Sequence, residues 1–288
     1  MLYVQTFVSG ILSAGVLTLM VVGFSLQWRS LKIVNLAHFS LVLLSAYVTY
    51  DFSTRTGYTP FLAAIIVVPL FAALAVGFQW VFDRFQVTVF NSLLLTFGFF
   101  ILIEGVIRNV WGADFLRINS HVNPYAVKSV VLFDIAVPVA PLIAFTIAVP
   151  VVLAGSSYLR RSYFGKGLRA VAQDREIAVA YGVNYRRTAM VLTAASGATA
   201  AMAGLLFAVV GSLFPSASQE WIGLGFAVVI LGGIGSPVGV LIAAMLIGGI
   251  TGVGSAVWGP SAAQLIMFVV LIGVLLWRPE GLFRRLQR

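Results

Sequence analysis

Few side chains in this sequence could do acid–base, metal or nucleophilic chemistry, and they lie far apart. The chain has no Cys and only two His residues, His38 and His121, which excludes disulfides, thiolate chemistry and Cys-ligated metal sites. The stretch GKG at 165–167 lacks the upstream glycine and the following Ser or Thr of a phosphate-binding loop. We therefore predict no catalytic residue, no metal site and no nucleotide site in this chain.

Glu104 is the one acidic residue near the middle of a long apolar segment. An ionisable side chain at that depth suggests a function by default, and here the function would be to bind a coupling proton. The alternative is a carboxylate that is hydrogen-bonded inside a helical bundle or reaches Arg108, one turn on. We favour the structural alternative and carry the proton-binding role as a second hypothesis.

Two further polar residues, Asn35 and His38, open an apolar segment within VNLAHFS. They are one helical turn apart and can face the same direction. Such a pair could lie at the inner end of a membrane pathway, although a lone His at such a place is more often a hydrogen-bonded structural residue.

The elements that position these residues are membrane-spanning helices. The chain is 60% hydrophobic and 9% charged, against about 25% charged in soluble domains, and its apolar segments have the length of membrane helices. We therefore predict an all-α polytopic membrane protein, a single domain over 1–288, with eight or nine spans and a retained first helix. The predicted segments are Val4–Leu26, Ile33–Tyr50, Pro60–Phe82, Val89–Ile107, Pro138–Tyr158, Ala189–Gly211, Ile222–Gly235, Val238–Val257 and Ser261–Trp277. The seventh is short and glycine-rich and is either a span or a re-entrant element.

The basic residues set the orientation. Seven of the 18 Lys and Arg residues lie in Arg160–Arg187. Placing that stretch in the cytoplasm puts 14 of the 18 on the inside, including the C-terminal arginines, as the positive-inside rule requires. This arrangement predicts an outside N-terminus, a cytoplasmic C-terminus and a full crossing by the seventh segment. The net charge of +9 then reflects cytoplasmic loops and an anionic leaflet, not nucleic acid.

The stretch Arg160–Arg187 is also predicted to contain a short amphipathic helix. Gly182 stands where its C-cap is expected, and Asn184 could cap the next helix. The apolar face would hold Leu168, Val171, Ala172 and Val179, and the polar face Lys166, Arg169, Gln173 and Glu176. Such an element is either a docking site for a partner or a plain solvated loop. The long extracytoplasmic loop from Arg108 to Val137 could similarly receive a soluble partner.

Glycine is concentrated in the run GGIGSPVG at 232–239. Small residues let membrane helices approach closely, and unwound backbone at membrane depth is tolerated where it is buried or lines a cavity. Two roles stay open, a gating element of a pathway and tight packing without contact to a solute. The residues concerned are Gly232, Gly233, Gly235 and Ser236.

Three stretches together resemble the permease subunits of branched-chain amino-acid ABC importers. They are VNLAHFSLVLLSAY (34–47), FGKGLRAVAQDREIAVAYGVN (164–184) and VVILGGIGSPVGVLIAAMLIG (228–248), with a weaker match in WRPEGLF (277–283). They occur in the expected order over nearly the whole chain, and its compact length resembles the H-type subunit.

The resemblance implies a type II-like permease bundle in the bacterial inner membrane. It also implies two cytoplasmic ABC ATPase subunits that bind ATP and Mg²⁺, a second permease subunit that is a paralogue, and an extracytoplasmic substrate-binding protein. No cofactor is implied for this chain itself. The segment 164–184 would be the helix that couples to the ATPase. The coupling residues implied by the motif are Gly165, Arg169, Ala172, Asp174, Ala178, Gly182 and Asn184.

One departure from the family pattern concerns Phe39, which stands where the family commonly has Gly after Ala-His. If that turn lines the pathway, a phenyl ring would narrow or reshape it, so the cargo could be a branched-chain amino acid or a related small amino acid or amide. The competing hypotheses are a proton-coupled secondary transporter that uses Glu104, and a structural or enzymatic membrane subunit for which the charged loop is only a scaffold.

Overall fold

The computed structural model describes residues 2–132 and 135–277. Most of the WRPEGLF stretch lies outside the described residues. The C-terminal arginines, on which part of the predicted orientation depends, also lie outside them.

The described chain is almost entirely helical, which confirms the all-α class. Six of its helices are long and apolar enough to cross a membrane. The helices are α1 (Leu2–Leu31), α2 (Ala37–Thr56), α3 (Ala64–Arg84), α4 (Val89–Trp111), α5 (Val139–Arg161), α6 (Tyr163–Gln173), α7 (Arg175–Ala180), α8 (Tyr185–Val210), α9 (Ala217–Gly232), α10 (Pro237–Trp258) and α11 (Pro260–Trp277). Each of the nine predicted segments therefore contains a helix, with shifted ends.

The loop between α4 and α5 contains the only strands in the described ranges. These are β1 (Ser129–Leu132) and β2 (Ile135–Pro138), which pair antiparallel as a small hairpin. Asn123 fixes the loop to the bundle because its Nδ2 donates to the carbonyl oxygen of Val209 at 2.9 Å. The backbones of Leu116 and Leu213 also exchange hydrogen bonds of 2.9 and 2.7 Å. The loop predicted to face a partner thus lies against the ends of the helices.

Two helices form the centre of the bundle. α1 packs most extensively on α10 and also on α8 and α5. α2 is less apolar than the six long spans, yet its residues from Ala37 to Leu43 are all buried, because the surrounding helices cover every side of it. Hydroxyl and imidazole groups are tolerated in such a helix only where neighbours satisfy them.

The α1–α10 pair is antiparallel and defines two ends of the molecule. At one end the backbone N–H of Gly235 donates to Ser25 Oγ at 2.8 Å, and α6 lies beside it, so we call it the α6 end. At the other, Gly252 of α10 faces Thr6 of α1, and we call it the far end.

α9 carries the chain from the far end to the α6 end. Phe214, just before α9, packs against Phe115 at the far end with ring centroids 5.3 Å apart. After α9, Arg29 Nη1 donates to the carbonyl oxygen of Ile234 at the α6 end, at 3.3 Å. The 16-residue helix spans about 24 Å, and the short loops on either side complete the passage. The seventh segment therefore runs from one end of the bundle to the other, and its crossing of the membrane stays a prediction.

Candidate functional site

The segment between α5 and α8 is folded by side-chain caps into two short helices. Ser162 Oγ accepts from the backbone N–H of Gly165 at 3.0 Å and begins α6. Asp174 Oδ1 accepts from the N–H of Ile177 at 3.0 Å and begins α7. Asn184 Oδ1 accepts from the N–H of Arg187 at 2.9 Å and begins α8, as predicted.

The single amphipathic helix predicted for this segment is wrong. Asp174 has an extended backbone, with φ −150° and ψ 117°, because it ends α6 and caps α7. Val179 therefore lies on a different helix from Leu168 and Val171, and it is exposed while they are buried. The predicted C-cap is confirmed, since Gly182 has φ +87°, a conformation that glycine adopts without a steric cost.

Most residues that the motif assigns to coupling shape the segment from within. A Cβ at Gly165 would overlap the carbonyl of Leu159, so only glycine lets α6 lie directly on the end of α5. Ala178 is buried and Ala172 half-buried. Arg169 Nη1 donates to the carbonyl oxygen of Leu159 at 2.7 Å, which ties α6 to a carbonyl left open by the end of α5. Contact of these residues with an ATPase stays a prediction.

Three large side chains on this segment point outward and were missed by the sequence interpretation. Tyr163 is 88% exposed, Tyr181 87% and Ile177 58%. Aromatic residues of this kind are typical of protein interfaces. The available signal was the presence of tyrosines and an isoleucine in a short basic stretch that cannot be lipid-facing. We call these three residues the α6–α7 surface.

A cavity of about 780 Å³ lies beside this segment at the α6 end. Arg175 forms one wall, with its guanidinium 3.7 Å from the centroid of the Tyr185 ring. Lys32, Asp83 and Arg186 also line the cavity, so three cationic side chains oppose one carboxylate. This balance suits the water side of a membrane whose inner leaflet is anionic.

The glycine run meets the α6 helix in a narrow cleft of about 90 Å³. Gly165, Arg169, Gly235 and Ser236 all line it together with Arg29. The structure thus brings residues predicted for coupling and residues predicted for gating into one place.

Within the run, each residue has a local structural task. Gly233 and Gly235 have φ of +84° and +79°, and Ser236 Oγ caps α10 by accepting from the N–H of Gly239 at 3.1 Å. Gly232 touches the backbone of Gly239, where a Cβ would lie 2.7 Å from the carbonyl carbon. These contacts show tight packing, and a gating role for the run stays a prediction.

Asn35, His38 and Phe39 lie in the interior next to α1. His38 Nε2 is 2.8 Å from the carbonyl oxygen of Met20, and its Nδ1 is 3.3 Å from Ser196 Oγ. Both ring nitrogens therefore contact neutral partners. This agrees with the interpretation of His38 as a hydrogen-bonded structural residue. Asn35 Nδ2 lies 3.5 Å from Gln27 Oε1, while its Oδ1 has no partner among the described residues.

Phe39 is fully buried and fills the space next to a glycine of α9. Its ring centroid is 5.2 Å from that of Phe24, and a Cβ on Gly225 would approach its Cζ at 2.5 Å. The phenyl ring thus fits here because Gly225 has no side chain. In this conformation the ring packs in the core, and its contact with a solute stays a prediction.

Glu104 is nearly buried and is surrounded by donors. Its Oε1 accepts from Ser218 Oγ, and its Oε2 accepts from Gln219 Nε2 at 2.8 Å. Arg108 Nη2 is 3.6 Å from Oε2. This arrangement is the structural alternative predicted for Glu104, with two partners on α9 that sequence spacing could not indicate. It lies far along α9 from the cleft at Gly235.

The sequence was compared with known proteins. The profile of one family, described as "Branched-chain amino acid transport system / permease component", matches residues 6–275. The chain is similar to the high-affinity branched-chain amino acid transport system permease protein LivH of Salmonella typhimurium, with 24% identity over 269 residues, 85% of this chain and 84% of the relative. The Escherichia coli K12 protein of the same name is similar to the same extent, at 24% identity over 269 residues. No solved structure matches the chain significantly.

Proposed function

Since the chain belongs to the family of branched-chain amino acid transport system permease components, we propose that it is the membrane-spanning subunit of an ATP-driven importer. Its cargo would be branched-chain amino acids or a related small amino acid or amide. It would reside in the bacterial inner membrane with its N-terminus outside and its C-terminus in the cytoplasm. The chain itself would act as a transport subunit without its own ATPase site.

The assembly we propose contains four further kinds of component. Two cytoplasmic ABC ATPase subunits bind ATP and Mg²⁺, a paralogous permease completes the membrane channel, a soluble binding protein delivers the substrate outside, and lipid surrounds the bundle. The described part of the chain has no group of His, Cys, Asp or Glu residues with the spacing of a metal site, and the motifs give this chain no cofactor.

One observation carries the proposal: an exposed surface of large side chains is joined to the narrow cleft at Gly235. Tyr163, Ile177 and Tyr181 are exposed to water, and exposed apolar surface of this kind marks sites of protein interaction. Behind them, Arg169 joins α6 to α5 and lines the same cleft as Gly235. A partner that grips the α6–α7 surface would therefore act directly on the cleft.

The mechanism follows from these connections. ATP binding closes the two ATPase subunits on each other, which displaces the α6–α7 surfaces they hold. Because α6 lies on the end of α5 without an intervening side chain at Gly165, the displacement passes to α5 rather than into a flexible loop. Access then alternates between the two sides as the helices rock about the substrate.

We expect loss of the two exposed tyrosines to weaken the hold of the ATPase. Truncation of interface hot spots costs 2 kcal/mol or more, so the double substitution Tyr163→Ala with Tyr181→Ala should lower recovery of the ATPase roughly tenfold or more when the tagged permease is purified. ATP-dependent uptake should fall with it. A matched control is Tyr58→Ala, which removes a tyrosine that is 61% exposed at the far end. Unchanged recovery and uptake in the double variant would contradict the docking role.

The secondary-transporter hypothesis depends on Glu104, and the contacts of this residue give it a different task. Its two oxygens accept hydrogen bonds from Ser218 and Gln219, which link α4 to α9. Arg108, on α4 itself, lies 3.6 Å from Oε2. We therefore assign Glu104 to holding α9 in place and not to proton coupling.

A further inference from the structure

An open groove of about 560 Å³ runs between α1 and α10 at the far end. Its outer part is lined by hydroxyl and amide groups, and its inner part by aliphatic side chains. The polar lining residues are Gln5, Thr6, Ser9, Ser13, Thr251 and Ser255. Leu17, Leu224 and Ile247 line the inner part. On α1 the groove therefore extends from Gln5 to Leu17, about 18 Å along the helix.

The floor of the groove forms where two helix backbones touch. A Cβ on Gly248 would lie 2.5 Å from the carbonyl oxygen of Gly10, and one on Gly252 would lie 2.6 Å from the carbonyl oxygen of Thr6. Glycines of this kind let membrane helices pack closely. Packing explains the floor, but it does not explain the polar walls.

Some of the wall residues are satisfied within their own helices. Thr251 Oγ1 donates to the carbonyl oxygen of Ile247 at 2.7 Å, and Ser255 Oγ to that of Gly252 at 2.9 Å. By contrast, the side chains of Gln5, Ser9 and Ser13 make no hydrogen bond to any residue that the structure describes. A polar group left without a partner in an apolar medium costs several kcal/mol. These three side chains, spaced four residues apart on one face of α1, therefore face water or a solute instead of lipid.

The lining also limits the charge of a solute. Among the residues that the structure describes, no Asp, Glu, Lys or Arg lines the groove. An excess charge would enter it without a counter-charge, whereas hydroxyl and amide groups can donate to a carboxylate and accept from an ammonium. The aliphatic inner end suits an apolar side chain. A small zwitterion with an aliphatic side chain matches both parts.

From this combination we infer that the α1–α10 groove is the far-side half of the solute pathway and that it receives a zwitterionic aliphatic amino acid. This inference rests on the proposed function. The groove ends about half-way through the bundle, before the cleft at Gly235. A solute in it would therefore wait at mid-depth until the α6 end opens.

The absence of Cys from the chain allows a direct test. In the assembled importer in intact cells, Ser13→Cys is treated from outside with a membrane-impermeant methanethiosulfonate, with Leu246→Cys as the matched control on the exposed side of α10. Only a thiol in contact with water ionises and reacts, so we expect Ser13→Cys to be modified at least about tenfold faster. L-Leucine, supplied with the binding protein, should slow that reaction. Ser9→Cys provides a second position if Ser13→Cys does not assemble.

Equal, slow labelling of the groove and control positions would overturn the inference, as would labelling of both groove positions that L-leucine leaves unchanged. ATP-dependent uptake of L-leucine is measured in the same cells before the reagent is added. If the cells take up L-leucine but the groove positions are labelled as slowly as the control, the pathway assignment is wrong and the proposed function still stands. Loss of uptake from every variant, including Leu246→Cys, with a water-exposed groove, would instead contradict the proposed function.

Discussion

The two ends of the α1–α10 pair are built from similar small and polar residues but differ in how those residues are used. At the far end the glycine backbones meet and leave a groove of about 560 Å³, and some of its polar lining residues have no described partner. At the α6 end, α1, α5, α6 and the loop before α10 enclose a cleft of only about 90 Å³. There Arg29 lies across Gly235, and Ser25 accepts the Gly235 N–H.

The difference separates two tasks for polar groups inside a membrane. In the cleft at the α6 end, Ser25, Arg29 and Ser236 are paired with the protein and fix its shape. At the far end, Gln5, Ser9 and Ser13 have no described partner. A transporter that alternates access needs one end open while the other is closed. The structure therefore leaves the α1–α10 groove open at the far end, while the cleft at Gly235 is narrow.

The largest loss of stability is expected from a substitution at the point where α1 and α10 touch. Gly248→Val would place a side chain 2.5 Å from the carbonyl oxygen of Gly10 and 3.0 Å from Ala14 Cβ, and backbone cannot yield as a flexible side chain does. We expect a loss of stability of about 3 kcal/mol, measured as a lower unfolding temperature in detergent. Gly77→Val is the control, because a Cβ on Gly77 meets nothing within 4 Å. Equal unfolding temperatures for the two variants would show that the helices do not meet as described.

The narrow cleft at Gly235 is expected to depend on Arg29. Its guanidinium donates to the carbonyl oxygen of Ile234 at 3.3 Å, and its aliphatic stem covers Gly235. A hydrogen bond from a charged group contributes about 1.5–3 kcal/mol, so Arg29→Ala should raise the population of states open at this end by roughly tenfold or more. Leak of preloaded radiolabelled L-leucine from proteoliposomes without ATP measures this. Arg84→Ala, at the end of α3 and outside this cleft, should leave the leak at the wild-type rate. A wild-type leak in Arg29→Ala would remove Arg29 from the closure.

The features that sequence predicted well depend on local composition. The helices were predictable from the length and apolarity of each segment alone. The caps at Gly182 and Asn184 were predictable from the residue types next to a helix end. The break at Asp174 was missed because Asp is compatible with a helix surface as well as with an N-cap. The Asp174 side chain alone does not determine which of the two conformations forms. The burial of Leu168 before it and of Ala178 after it determines that the helix ends at Asp174.

The features that sequence missed depend on partners distant along the chain. Glu104 meets Ser218 and Gln219 from a helix more than 100 positions away, and Phe39 is buried because Gly225 makes room for it. The groove carried a weaker signal, three polar residues four apart in the first apolar segment. That pattern marks one face of α1, but only the packing of α10 shows that the face lines an open space.

The smallest expected effect on stability comes from one substitution, Ser→Ala, made at each end. At the α6 end, Ser236→Ala removes the N-cap of α10 and should cost about 1 kcal/mol of stability with little change in the half-saturating concentration for uptake. At the far end, Ser9→Ala removes a hydroxyl that is paired with no described residue, so stability should change by less than about 0.5 kcal/mol. If Ser9 binds the solute, the loss of one hydrogen bond of about 0.5–1.5 kcal/mol should raise the half-saturating concentration roughly two- to tenfold. Thermal unfolding and L-leucine uptake, measured on both variants, separate the two tasks. The comparison between the two ends fails if both variants lose stability equally while their uptake stays unchanged.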